Sequence, residues 1–159
     1  MRYLIALFAV AGIVISSLAL RIHNEDPSVA PPCTVNANWD CGAVNHSRFA
    51  TFPPSSFDED PAAHKVHIPV ATLGIIGYAL ILILALANRL WLTLQAVEIG
   101  FAFAAFLSYL EAYVIQKWCI YCVWSMAIIS ATLLATIAAL IVEHRRKRRF
   151  ANSAVVVGS

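Results

Sequence analysis

Four long apolar runs leave this chain few ways to fold. They extend from roughly Tyr3 to Leu20, Ile68 to Ala87, Leu90 to Ile115 and Cys119 to Val142. A helix needs about 20 residues, at about 1.5 Å rise each, to cross a hydrocarbon core of about 30 Å. All four runs reach that length or come close. In lipid a segment must satisfy its own backbone hydrogen bonds, so only helices and closed barrels span, and these runs lack the apolar–polar alternation of barrel strands. Composition agrees, with 60% of the residues hydrophobic and 13% charged, against about 25% charged in a soluble domain. The expected architecture is all-α and integral to the membrane: a four-transmembrane-helix bundle with spans near 3–20, 68–87, 90–115 and 119–142.

The first run has a rival interpretation. Arg2, the apolar stretch and Ser17-Leu18-Ala19 have the outline of a secretory leader with its cleavage site. The stretch is longer than a leader's usual apolar core, so a retained helix is expected.

The connections are unequal. Asn88 and Arg89 form a tight turn between the second and third runs, and Gln116, Lys117 and Trp118 join the third to the fourth. The link over 21–67 is long and holds most of the acidic residues, among them Glu25, Asp26, Asp58, Glu59 and Asp60. Long connections in small proteins are usually functional or disordered. Basic residues set the orientation. Arg145, Arg146, Lys147, Arg148 and Arg149 follow the last run, with Arg2 and Arg89 on the same side. A nucleic-acid patch is the other meaning of such a cluster. Its place directly after an apolar run favours a cytoplasmic stop signal, and no nucleic-acid partner is expected. The chain therefore divides into a membrane domain over 1–144 and a basic cytoplasmic tail over 145–159. Both termini are expected in the cytoplasm, and the long loop on the opposite side.

That topology, drawn without reference to cysteine, puts all four cysteines on the non-cytoplasmic side. Cys33 and Cys41 lie in the long loop, and Cys119-x-x-Cys122 opens the fourth run. Disulfides persist in such a compartment. Three uses compete. Two structural disulfides would staple the ectodomain, but a pair three apart closes too small a ring to add much loop entropy. A four-cysteine zinc site would use two short-spaced pairs, and seven residues separate Cys33 from Cys41; no metal is expected. Redox catalysis accounts for both spacings. A helix N-terminus favours the thiolate, Cys119 is expected there, and Lys117 adds positive charge. Cys122, a turn deeper, would meet a lipid-soluble oxidant, and the loop pair would relay electrons from soluble thiols by disulfide exchange.

Several stretches together resemble the vitamin K epoxide reductase family, most closely its bacterial, DsbB-like branch. They are Cys33-x7-Cys41, the run Cys41-Gly42-Ala43-Val44-Asn45-His46-Ser47, the segment Ile68-Pro69-Val70-Ala71-Thr72-Leu73-Gly74 with Gly77 and Tyr78, and Trp118-Cys119-Ile120-Tyr121-Cys122. The resemblance extends over about 3–142. It implies a four-helix bundle around a quinone, ubiquinone or menaquinone, capped by a loop carrying a short membrane-lying helix. It also implies roles: Cys33 exchanges with the partner, Cys41 forms a mixed disulfide with Cys119, and Cys122 faces the quinone. Ser47 matches a family serine between loop and active pair, and the pocket is expected to comprise Ser47, Val70, Leu73, Leu107, Glu111 and Met126. Val70 and Met126 stand where the vertebrate enzymes carry an asparagine and a tyrosine, which argues against epoxide reduction. Many bacterial relatives carry a fused thioredoxin-like domain. Here a short tail follows, so the expected thiol donor is a separate DsbA-like thioredoxin-fold protein.

The function expected from all this is that of a membrane thiol:quinone oxidoreductase of a bacterial inner membrane, its cysteines periplasmic, supporting disulfide formation. Reduction of vitamin K epoxide or quinone by lumenal thiols is the alternative enzyme, and a disulfide-stapled membrane scaffold the non-enzymatic one. Remaining polar residues divide between chemistry and anchoring. Glu111, near the outer end of the third run, is a candidate proton relay or a snorkelling interfacial group. Glu98 is expected to contact another helix or the inner interface. His64, His67 and the tryptophans Trp39, Trp91, Trp118 and Trp124 are expected as interfacial anchors. Asn45-His46-Ser47 matches a glycosylation acceptor and is taken as chance.

Overall fold

The computed structural model describes residues 1–26, 31, 33–36, 38–54 and 67–157, with side chains to Arg149. His64 and the acidic stretch 58–60 lie outside the described residues. Helix α1 covers Arg2–Asn24, the short α2 Cys41–Asn45, α3 Val70–Leu86, α4 Leu90–Leu110 and α5 Ile120–Val157. A 3-10 turn at Arg48–Ala50 and two-residue strands β1 (Thr51–Phe52) and β2 (Ile68–Pro69) lie in the connection, the strands pairing antiparallel.

Among the described residues, three helices are long and apolar enough to cross a membrane: Arg2–Asn24, Leu90–Ile115 and Ile120–Arg149. The second expected span is shorter than its apolar run. Ile68 and Pro69 pair with the loop strand, so α3 starts at Val70 and has 17 residues, about 26 Å at 1.5 Å per residue. The fourth helix is longer than its run. It continues through the basic residues of the tail, where Glu143 pairs with Lys147 one turn on.

Packing closes a circuit, with α1 against α3, α3 against α4, α4 against α5, and α5 back against α1. Small residues set the spacing, as they do where lipid supplies no driving force between helices. A Cβ on Gly12 would overlap the Tyr78 ring, and one on Gly74 would press on Ser16 Oγ, so α1 and α3 approach closely. Tyr78 then donates its hydroxyl to the Ser125 carbonyl at 2.9 Å, tying α3 to α5. The core of this end is Ile5, Ala9, Tyr78, Ile81, Ala85, Val97, Ile129 and Ala139. Large aliphatic and aromatic side chains such as Leu7, Ile76, Ile99, Phe106 and Leu134 point outward, an apolar outer surface suited to lipid.

The turn between α3 and α4 passes through Asn88 at φ 56°, a left-handed conformation that asparagine tolerates better than most residues. The alternation of helices puts Arg2, Arg89 and the basic cluster at one end. The loop, Gln116–Trp118 and the cysteines lie at the other.

Candidate functional site

The site begins where α4 stops being regular. Its last turn widens into a π-helical turn over Glu111–Ile115, and Gln116 adopts φ 55°. That left-handed residue reverses the chain, so Cys119 returns beneath Glu111 and its N–H donates to Glu111 Oε2 at 3.2 Å. The Cys119 carbonyl accepts from Val123 N–H at 3.1 Å. Cys119 is thus the N-cap of α5, where N–H groups without helical partners favour an anionic sulfur. Cys119 precedes the span Ile120–Arg149. Its thiol is held below its ordinary value, mainly by the hydrogen bond from Cys122, with burial pulling the other way.

The loop closes over this turn by backbone pairing. Asp40 N–H donates to Trp118 O at 3.0 Å and Trp118 N–H to Asn38 O at 2.9 Å. The Trp39 and Trp118 rings lie 6.4 Å apart. These two tryptophans, expected at the ends of runs as an aromatic belt, face each other across the joint between loop and turn. Asp40 caps α2, accepting from Ala43 N–H at 3.0 Å and from Thr34 Oγ1 at 3.3 Å. A carboxylate at a helix N-cap satisfies an orphan donor and opposes the positive end of the helix. From the other side His23 Nδ1 meets Asn45 O at 2.6 Å, and His46 Nε2 meets the Glu25 carbonyl at 3.1 Å. The end of α1 is in this way fastened to the redox loop.

These fastenings bring all four cysteines together. Cys33, Cys41 and Cys119 are buried in one cluster with Ile22 and Val44, and Cys122 packs against it. Cys33 and Cys41 form a disulfide, with Cα atoms 5.9 Å apart, and Cys119 and Cys122 are free thiols. Exposure is graded: Cys33 is 7% exposed, Cys41 and Cys119 not at all. Asn45, buried on the single turn of α2, donates Nδ2 to the Cys41 carbonyl at 2.9 Å and to Cys119 Sγ at 3.5 Å. In the sequence Asn45 figures in the family-like run from Cys41 to Ser47 and as a chance glycosylation match, with no role at the sulfurs. The spacing of four from Cys41, on a helix announced by Asp40, was the signal that places it on the sulfur-facing side.

Below the cysteines, an apolar cavity of about 380 Å³ lies among α1, α3, α4 and α5. Of the residues expected to line a pocket, Ser47, Val70, Leu73, Leu107 and Glu111 do so, and Cys122 opens onto it. Met126 is not among its lining residues. The cavity face of α5 follows Cys122, Ser125 and Ile129, and Met126 turns to the helix core around Ile5 and Val97. Ser47 spends its hydroxyl on the Val44 carbonyl at 2.8 Å. Glu111 is 2% exposed, so it does not snorkel to an interface. Among the described residues no three of His, Cys, Asp and Glu gather as a metal site would require.

The model of the vitamin K epoxide reductase family matches residues 3–138. No curated protein gives a significant match.

Proposed function

From the premise that the chain belongs to the vitamin K epoxide reductase family, whose members are quinone-linked thiol oxidoreductases of membranes, we propose that it oxidises a periplasmic dithiol and reduces a membrane quinone. One observation carries this reading: both cysteine pairs share a buried cluster whose lower boundary is an apolar cavity. Disulfide exchange requires sulfurs in contact, and a lipid-soluble acceptor requires an apolar site beside the last thiol.

The residues fit a quinone. The walls are largely aliphatic and aromatic, with Leu73 and Leu107 among them, and His23, Asn45, Ser47 and Glu111 are among the few polar groups. Ubiquinone or menaquinone would supply a two-electron sink there. The rest is the work of this chain. Cys33, at the rim of the cluster, exchanges with the external dithiol. Cys41 then attacks Cys119 of the inner disulfide, so the electrons pass to the inner pair and the disulfide to the loop pair, and Asn45 and the α5 N-terminus hold the released Cys119 sulfur as thiolate. Cys122 stands last, facing the cavity. The donor we propose is a separate DsbA-like thioredoxin-fold protein, and the setting a bacterial inner membrane. All four long helices span there, α3 with the shortest reach, and α2 lies at the periplasmic interface. Both termini are cytoplasmic, because Arg2, Arg89 and the basic cluster share one end.

Complementation of a bacterium lacking its disulfide-generating membrane oxidase tests the proposal. Wild-type chain is expected to restore oxidation of exported proteins, and Cys119→Ser or Cys122→Ser to abolish it. A well-expressed wild type that restores nothing would refute the function, and rescue without either cysteine would refute the route.

A further inference from the structure

Among the described residues, Glu111 alone buries a carboxyl group. Its two oxygens are used differently. Oε2 accepts the Cys119 N–H, whereas Oε1 is fully enclosed and has no hydrogen-bond partner. The same carboxyl group adjoins the Cys122 thiol and lines the cavity. A buried polar atom without a partner is uncommon and costly. A group serving only to cap α5 would need no second enclosed oxygen, and glutamine would cap as a neutral acceptor. The π-helical turn that begins at Glu111 is a distortion that often marks functional positions. Here it sets a proton-accepting atom among a reactive thiol, a helix cap and an apolar cavity.

We propose that Glu111 is a catalytic residue, carrying a proton from the Cys122 thiol to a quinone oxygen through Oε1. The inference rests on the thiol:quinone reading above. In the step concerned, the Cys122 S–H bond breaks, the Cys119 thiolate supplies the other sulfur, and the Cys119–Cys122 bond forms. Two electrons pass to the quinone, whose two carbonyl oxygens become the hydroxyls of the hydroquinone. Glu111 takes the Cys122 proton on Oε1 and gives it to the nearer oxygen, returning to its starting state. The second quinone oxygen takes a proton from solvent, which matches the one released when Cys119 ionised, so proton uptake is zero over the cycle. Oε2 stays on the Cys119 amide, which keeps the carboxyl group in place while Oε1 works.

Purified full-length protein with reduced Cys119 and Cys122 is mixed with ubiquinone-1, and the single-turnover rate is followed by quinone absorbance across pH and in heavy water. Separately, without quinone, N-ethylmaleimide modification of Cys122 is followed across pH. Glu111→Gln is expected to slow quinone reduction by about 100-fold or more, the usual range for loss of a general base. It is also expected to remove the low-pH limb of the rate profile and, by taking a negative charge from beside the thiol, to quicken Cys122 modification at a given pH. Glu111→Asp should restore part of the rate and the limb. The proposal is overturned if Glu111→Gln reacts within a few-fold of wild type. It is equally overturned if the rate falls while pH profile, solvent isotope effect and Cys122 modification stay unchanged, for then the side chain only caps α5. Should Glu111→Gln fail to fold, Glu111→Asp decides by the same profile. Failure of wild type to reduce ubiquinone-1 would instead strike the thiol:quinone reading itself.

Discussion

Replacing Asn45 by leucine should weaken the nucleophile of the inner pair without touching a cysteine. Asn45 Nδ2 donates to Cys119 Sγ at 3.5 Å and to the Cys41 carbonyl at 2.9 Å. A hydrogen bond to a charged acceptor is worth about 1.5–3 kcal/mol. Sulfur is a diffuse acceptor at long range, so the lower end applies, about 1.5 kcal/mol, or roughly one pKa unit. The sign is upward: the lost donor stabilised the thiolate, so Asn45→Leu raises the Cys119 pKa. At pH values below the midpoint, the thiolate fraction falls by up to about tenfold. Asn45→Asp keeps the shape but puts an acceptor against the sulfur, and should raise the pKa further. The assay is iodoacetamide modification of protein whose Cys33–Cys41 bond is closed. Cys119 and Cys122 are quantified separately by peptide mass mapping over a pH series. A Cys119 midpoint in Asn45→Leu within about 0.3 of wild type would refute the assignment of Asn45 to the sulfur, and with it a physical reason for burying an amide there.

Other perturbations test the framework that holds the sulfurs. Asp40→Ala removes the cap of α2 and the Thr34 contact. It should cost about 0.5–2 kcal/mol, seen as faster proteolysis at the loop with the helices intact. Gly12→Val would drive a side chain into the Tyr78 ring and should lower stability by about 1–3 kcal/mol. Loss of thermal stability in detergent is the measure, and an unchanged melting point would contradict the close contact of α1 and α3. After mild reduction of the loop pair, a membrane-impermeant maleimide added from the side of the loop should modify Cys33 before Cys41, since of these two only Cys33 is exposed at all. Equal rates would mean that the docked loop is not the resting state.

Much of this molecule was legible because lipid leaves few choices. Apolar length announced the long helices, and the chain's alternation then put basic residues and cysteines at opposite ends. The ends of helices were less legible. Nothing in the run 68–87 shows that Ile68 and Pro69 pair with Thr51 and Phe52, because strand pairing over that distance depends on where the loop returns. The basic tail read as a separate segment, yet arginine and lysine are good helix formers, and α5 runs on through them. At the site, residue type was informative where spacing was short. Cys119-x-x-Cys122 at a helix start is local. The joining of Trp39 to Trp118, and of Asn45 to Cys119, spans 79 and 74 residues and follows from loop closure, which carries no periodic signal. Met126 shows the limit of gapless counting along a family pattern. It is one turn beyond Cys122, yet it is not among the cavity's lining residues and packs against the helix core.

The gradation of exposure bears on the order of events. On the route proposed above, a closed loop pair with a free inner pair is the state in which the cavity side is the remaining outlet. Cys41 and Cys119 are fully enclosed, so exchange between them would proceed without water and without competing soluble thiols. Cys33, at the edge, is the sulfur a large partner can reach. The backbone bonds of Asp40 and Asn38 to Trp118 fix the chain immediately before Cys41. On the route proposed above, a partner would exchange at Cys33 while α2 stays seated. Under the proposed function, burial of this kind would let two disulfide couples meet and still hand electrons in one sequence, from the rim to the cavity.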